Sequence, residues 1–136
     1  MPNSQEDVND GAPNLEVYHD NGDGTVTDSI TGLMWQQAVS AMNYPLSSAV
    51  SYCTSLTLGN HSDWRVPSLV ELLSIVDFDS SSPAINTIAF PSTPPADSFL
   101  SSTLVGGSAT QVGSVFFGNG TTTTLEGTLG DVRCVR

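Results

Sequence analysis

The sequence of 136 residues contains no lysine, and its only cationic side chains are Arg65, Arg133 and Arg136. Against these three stand 14 acidic residues, so the formal net charge is −11 at pH 7. A field of that sign repels phosphates and sulfates. Proteins that bind nucleic acid need a basic footprint, which this composition lacks. We therefore expect no nucleic-acid partner and no polyanionic ligand, whereas cations and neutral sugars remain compatible.

Long apolar runs are also missing. No stretch approaches the roughly 18 consecutive apolar residues that a membrane-spanning helix needs. The first residues are polar and acidic, unlike the apolar centre of a signal peptide. The sequence therefore predicts a flexible acidic segment over 1–14, a single domain over 15–136, and no membrane insertion.

Cysteine and histidine are scarce, with two of each. Cys53 and Cys134 are not in a C-x-x-C arrangement, and with His19 and His61 they form a poor zinc-ligand set. Two interpretations remain for the cysteines, a disulfide or two free thiols in the core. A disulfide would close a loop of about 80 residues, contribute roughly 4 kcal/mol, and imply an oxidising compartment.

The stretch "DNGDGTVTDSITGLMW", residues 20–35, has two interpretations. Its Asn-Gly and Asp-Gly pairs favour the positive φ angles of tight turns, which predicts small hairpins after a first strand in "LEVYH". Its oxygen-bearing side chains could instead hold calcium, with Asp20, Asn21, Asp23 and Asp28 as ligands. A glycine stands where an EF-hand loop would place a ligand, and no glutamate completes the loop. We therefore expect no cofactor, with calcium as the alternative.

Two segments predict helices. In "SSAVSYCTSLTLG" the sequence predicts a helix capped by Ser47 and stopped by Gly59, with Ala49, Cys53 and Leu56 on its buried face. In "WRVPSLVELLSIVD" the pair Ser68 and Glu71 forms an S-x-x-E capping box. An apolar stripe follows this box, and the second helix should end near residue 77.

The segment after the second helix is rich in proline and serine, which excludes regular structure over most of it. So long a loop inside a compact domain is usually functional or held by a few apolar anchors. The anchors we predict are Ile85, Ile88, Phe90 and Phe99. The final part of the chain is predicted to be β-rich, with a hairpin turn at "GNG" and a last strand in "VRCVR".

Five segments in this order resemble one known family: "NGDGTVTDSITGLMWQ", "DWRVPSLVELLSIVD", "PAINTIAFP", "FLSST" and "VRCVR". They resemble the bacterial extracellular domain found at the C-terminus of the Lcl collagen-like adhesin, over about residues 17–136. That family looks related to the formylglycine-generating-enzyme branch of the C-type-lectin-like fold. The resemblance implies an α+β, C-type-lectin-like domain with two helices, a small twisted antiparallel sheet and long irregular loops. It also implies that a disulfide joins the first helix to the last strand, where Cys53 and Cys134 lie.

The chain departs from that pattern in places. Leu100 stands where the family often has tryptophan, and the sugar-and-calcium tripeptides of animal C-type lectins do not occur. No nucleophile–base pair is suggested by spacing, so we expect no enzyme and no catalytic residues. Ligand contacts in this fold usually come from loops. The predicted ligand-binding residues are Asp77, Asp79, Asp97 and Asn119.

The expected function is a non-catalytic binding or adhesion module of a bacterial surface or secreted protein. It would recognise a glycan or another cell-surface ligand on a host or neighbouring cell. The alternative is a structural subunit or tip domain of a surface fibre or homo-oligomer. Either role places the chain outside the cell, after secretion through a leader that these residues do not include.

Overall fold

A computed structural model describes residues 17–126 and 129–136 of the chain. The boundary predicted after residue 14 lies outside these described residues. The fold is α+β, with two helices and two three-stranded antiparallel sheets. In chain order the elements are β1 (Tyr18–Asp20), β2 (Thr25–Asp28), β3 (Met34–Gln36), α1 (Leu46–Ser55), α2 (Leu69–Leu73), β4 (Ser98–Leu104), β5 (Gln111–Phe116) and β6 (Thr121–Glu126).

The first sheet has the order β1-β2-β3 and confirms the predicted hairpins. Its central strand places Val26 opposite Trp35, and both side chains are fully buried. Gly22 and Gly24 in the first turn have φ angles of 75° and 88°, which glycine adopts without steric cost. The side chain of Tyr18 packs against the core.

Helix α1 begins one residue after Pro45, which occupies the N-cap position without a side-chain hydrogen bond. The predicted cap, Ser47, therefore lies inside the first turn. Residue 45 is extended, with φ −69° and ψ 161°, and the chain becomes helical at Leu46, so Ser47 is already the second helical residue. Ala49 and Cys53 are fully buried as predicted, whereas Leu56 is the C-cap and only partly buried, so the helix ends before Gly59. Cys53 forms a disulfide with Cys134, with a Cα–Cα distance of 5.6 Å.

Helix α2 confirms the predicted capping box. The amide of Glu71 donates to Ser68 Oγ at 3.2 Å, and the amide of Ser68 donates to Glu71 Oε1 at 2.8 Å. The guanidinium of Arg65 donates two further hydrogen bonds of 2.7 Å to the same carboxylate. The helix is shorter than predicted. It ends at Leu73, and Ser74 is its C-cap, whose amide donates to the carbonyl of Val70.

The second sheet has the order β4-β5-β6, and the predicted turn at "GNG" joins β5 to β6. The C-terminal segment forms isolated bridges rather than the predicted regular strand. Val135 bridges to both Trp35 and Arg65, and Asp131 bridges to Phe99 of β4. This segment therefore ties the first sheet to the second, and its residues 131–135 are all buried.

Two clusters of buried side chains form the core. The larger cluster contains three of the four predicted loop anchors, Ile85, Phe90 and Phe99. Ile88 is 90% exposed, so its prediction as an anchor is wrong. The reason is local, because Asn86 Oδ1 accepts hydrogen bonds from the amides of Ile88 and Ala89 and forms a turn that directs residue 88 outward.

Arg133 lies inside the larger cluster and is only 1% exposed. Its guanidinium carbon is 4.7 Å from the centroid of the Phe90 ring and 5.6 Å from that of Phe99. Its Nη2 donates a 3.0 Å hydrogen bond to Thr93 Oγ1. Burial lowers the pKa of Arg133, yet an arginine guanidinium stays protonated at neutral pH. The loop is thus fixed by cation–π contacts as well as by its apolar anchors.

Neither helix in the part of the chain that the structure describes has the length and hydropathy of a membrane span.

Candidate ligand-binding surface

The loop after α2 is held against the β5–β6 turn by backbone hydrogen bonds. The amide of Ser82 donates to the carbonyl of Gly118 at 2.9 Å, and the amide of Ala84 donates to that of Phe117 at 2.6 Å. Within the loop, the amide of Asp77 donates to the carbonyl of Ala84 at 2.9 Å. These bonds bring residues 77–84 and 117–120 together at one end of the second sheet.

Phe78 presents its ring at this place and is 59% exposed. Gly120 lies beside the Cδ1–Cε1 edge of the ring, with a φ of 78°. A Cβ atom added to Gly120 would lie 3.0 Å from Phe78 Cε1 and 2.6 Å from Val76 Cγ1. Glycine at 120 therefore permits both the turn and the close approach of the ring. An aromatic side chain thus packs against Gly120 and is largely exposed to solvent.

Three of the four predicted ligand residues are chain neighbours of Phe78 or of Gly120. Asp77 accepts hydrogen bonds from the amide of Asp79 at 3.0 Å and from Ser80 Oγ at 2.8 Å. Asn119 Oδ1 accepts from the amide and hydroxyl of Thr121 at 3.1 Å and 2.8 Å. The side chains of Asp79 and Asn119 are exposed. We call this group, Asp77, Phe78, Asp79 and Asn119, the Phe78 surface.

Asp97, the fourth predicted ligand residue, makes a different contact. It lies near Asp131, which is only 4% exposed and has a buried Oδ2 with no hydrogen-bond partner. Burial, followed by the charge of Asp97, raises the pKa of Asp131 to about 6. A negative charge at Asp131 is therefore disfavoured by its burial and by the neighbouring acid.

None of the three arginines leaves an uncompensated charge on the surface. Arg65 pairs with Glu71 at 2.7 Å, and Arg136 pairs with Asp63 at 2.6 Å. The guanidinium of Arg65 holds the pKa of Glu71 at about 2. Arg133 is buried. Since the chain has no lysine, the acidic side chains dominate its exposed surface.

The residues predicted as calcium ligands each stabilise the first hairpins. Asp20 Oδ1 accepts from the amide of Gly22 at 2.9 Å, and this bond lowers the pKa of Asp20. Asp23 Oδ1 accepts from the amide of Thr25 at 3.0 Å and from its hydroxyl at 2.5 Å. These bonds are Asx turns, in which an aspartate closes the backbone two residues ahead.

Asn21 and Asp28 have similar local roles. Asn21 Nδ2 donates to the hydroxyls of Thr25 and Thr27 at 2.9 Å and 3.0 Å. Asp28 is fully buried and accepts from the amide of Ile30 at 2.9 Å and from Thr31 Oγ1 at 2.8 Å. Across residues 17–126 and 129–136, no three His, Cys, Asp or Glu side chains are grouped to hold a metal ion. Calcium binding here stays a prediction.

An apolar groove lies between α1 and the second sheet, at the opposite end of β5 from the Phe78 surface. This apolar groove encloses about 520 Å³ and has no charged side chain in its walls. Its apolar walls include Pro45, Leu46, Val50, Leu100, Val112 and Leu125. The sequence did not predict it, because the groove arises from packing between segments that are distant along the chain.

Phe78 was also absent from the predicted ligand residues. The signal available in the sequence was its position in "DFDSSS", where a large aromatic residue stands between two aspartates in a polar loop. Isolated exposed apolar residues are common, so that signal alone does not identify a site. The structure adds the packing against Gly120 and the closeness of Asn119, which is 41 positions further along the chain.

Comparison with known proteins identifies one family. The Lcl C-terminal domain family matches residues 24–136, which include both helices and every strand from β2 onward. No curated protein and no solved structure matches the chain. Because the family match spans most of the sequence, this chain belongs to the Lcl C-terminal domain family.

Proposed function

We propose that this chain is a non-catalytic extracellular adhesion module that binds carbohydrate through the Phe78 surface. Membership of the Lcl C-terminal domain family suggests an adhesin-type module outside the cell. The disulfide between Cys53 and Cys134 suits an oxidising compartment. The C-type-lectin-like fold remains part of this proposal and rests on the sequence resemblance.

The observation that carries the proposal is the exposed ring of Phe78, supported by Gly120 and flanked by polar side chains. An aromatic face gives a sugar ring an apolar platform, and a few fixed polar groups supply orientation and specificity. Asp79 and Asn119 provide carboxylate and amide groups beside it. The backbone bonds to Gly118 and Phe117 hold this platform in place before any ligand arrives.

A catalytic role has little support in the described residues. Both cysteines are consumed by the disulfide, so neither is available as a nucleophile. Asp77 forms part of a local turn, and its oxygens accept from Asp79 and Ser80. We therefore propose binding rather than turnover as the function.

A glycan panel on the purified chain tests the proposal, with Phe78→Ala as the diagnostic variant. Removal of the ring should weaken any glycan bound by the wild type at least about tenfold, equivalent to about 1.4 kcal/mol. Val70→Ala is the matched control, because Val70 is a 77% exposed apolar residue on α2, outside the Phe78 surface. A panel without binders counts against carbohydrate recognition, and equal binding by Phe78→Ala excludes this surface.

A second candidate function, a subunit of a fibre or homo-oligomer, is favoured by the apolar groove together with the exposed Ile88. A groove on one copy that receives an apolar side chain from the next makes a head-to-tail contact, which can extend into a fibre. Light scattering across a concentration series tests this role, with Ile88→Glu as the diagnostic variant. Association that Ile88→Glu abolishes supports it, whereas a wild-type monomer at all concentrations rejects it.

A further inference from the structure

The charge of the whole surface limits which sugars the Phe78 surface can bind. Arginine and lysine side chains give the strongest hydrogen bonds to anionic sugars, and this chain has no lysine. Arg65 and Arg136 are engaged by Glu71 and Asp63, and Arg133 is enclosed by the core. No arginine or lysine remains to meet a carboxylate or sulfate on a ligand. The negative field would instead attract a cation and accelerate its encounter with the surface.

The arrangement around the ring suits one kind of cation. Phe78 stands between two aspartates, and Asp79 is exposed beside it. The face of an aromatic ring carries negative electrostatic potential and attracts an ammonium group, with an affinity that grows as water is excluded. A neighbouring carboxylate adds a charge-assisted hydrogen bond. The ring and the carboxylate together therefore favour a ligand that carries an ammonium group and a ring that can stack on Phe78.

We propose that the Phe78 surface binds polymers of amino sugars that carry free amino groups. This inference rests on the proposed carbohydrate function and adds the class of ligand. Each sugar ring stacks on Phe78, and its ammonium group lies near Asp79. Asn119 supplies an amide that donates to a sugar hydroxyl. Repeated amines along the polymer gain from the acidic surface beyond the contact residues.

Calorimetric titration of the whole chain with two matched hexasaccharides tests the inference. One probe is the hexamer of glucosamine, and the other is the fully N-acetylated hexamer of the same linkage. The free-amine hexamer should bind at least about tenfold more tightly at low salt. That advantage should shrink in high salt, where the screening length falls from about 10 Å at 0.1 M to about 3 Å at 1 M.

Variants separate the site from general charge attraction. Phe78→Ala and Asp79→Asn should each reduce binding of the free-amine hexamer at least about threefold. Val70→Ala should leave it unchanged, and circular dichroism confirms that the variants fold. Hexalysine provides an ammonium-bearing control without a sugar ring. If hexalysine binds as tightly as the free-amine hexamer and Phe78→Ala affects neither, charge attraction alone explains the binding and the inference fails.

The remaining outcomes distinguish this inference from the function on which it rests. Equal binding of the two hexamers, weakened by Phe78→Ala, overturns the preference for free amines and leaves carbohydrate recognition in place. Binding of a sulfated or uronic glycan on the panel, lost in Phe78→Ala, has the same consequence. Failure of both hexamers and of every glycan on the panel overturns the proposed function itself.

Discussion

Replacement of Asp131 by asparagine should stabilise the protein at neutral pH. The Asp131 carboxyl group is almost fully buried, and burial, followed by the charge of Asp97, raises its pKa to about 6. The ordinary value is 3.8. Asparagine is close in size, carries no charge, and can donate a hydrogen bond to Asp97. The substitution therefore removes the buried charge with little change in packing.

The size and sign of the effect follow from proton linkage. Between pH 3.8 and about 6 the folded protein binds more protons at this site than the unfolded chain, so stability falls as pH rises through that window. Above that pH window, the full destabilisation by the buried Asp131 charge is present. A difference of about two pKa units corresponds to about 3 kcal/mol, which we reduce to about 1–2 kcal/mol to allow for solvent screening. Asp131→Asn should recover that amount at pH 7.

Urea denaturation of wild type and Asp131→Asn between about pH 4 and pH 7 measures this difference. The two free energies of unfolding should converge at the acidic end and separate towards pH 7. Glu126→Gln is the control, because Glu126 is exposed and its hydrogen bond to Gln111 can be kept by glutamine. The argument is refuted if Asp131→Asn is less stable than wild type at pH 7, or if the two curves run parallel.

Three further predictions concern other parts of the fold. Glu71→Gln should lower the free energy of unfolding by about 1–2 kcal/mol at pH 7, measured by urea denaturation, because it removes the charge that pairs with Arg65. The pKa of Glu71 is lowered from 4.5 to about 2, so this stabilisation should disappear as pH falls through that range. Replacement of both Cys53 and Cys134 by alanine should lower the free energy of unfolding by roughly 4 kcal/mol, and an unchanged melting temperature would contradict the loop-entropy argument. Calorimetry with millimolar calcium on chelator-treated protein should give no heat of binding and no shift in melting temperature, because Asp23 and its neighbours already close local turns. A clear binding isotherm would establish the calcium alternative.

The sequence allowed several local features to be predicted, because their causes are local. The capping box at Ser68 and Glu71 depends on a spacing of three residues, and the structure contains both of its hydrogen bonds. The turn at "GNG" depends on glycine and asparagine, and it joins β5 to β6 as expected. The burial of Cys53 followed from the helical periodicity of α1.

Features that depend on distant contacts were predicted less well. The C-terminal segment was expected to be a strand, yet it bridges three different segments and forms no regular ladder. Periodicity could not place Arg133 inside the core, because its partners Phe90 and Phe99 come from the long loop and from β4. Ile88 shows the opposite case, in which an apolar residue is directed outward by a turn at Asn86.

The candidate site follows the same division. Its acids and Asn119 were predicted from their position in loops, which is where ligand contacts usually lie. The contribution of Phe78 depends on Gly120, which approaches the ring from the next hairpin. Contact between two loops that are about 40 residues apart cannot be inferred from one sequence, so the platform became evident only in three dimensions.

The most direct test of the carbohydrate-binding proposal is an NMR titration of the labelled chain with the free-amine glucosamine hexamer. The proposal predicts that amide shift changes concentrate in residues 77–84 and 117–120, and that they vanish in Phe78→Ala. Shift changes that instead concentrate around Leu46 and Val112 in the apolar groove, or that persist in Phe78→Ala, would contradict it.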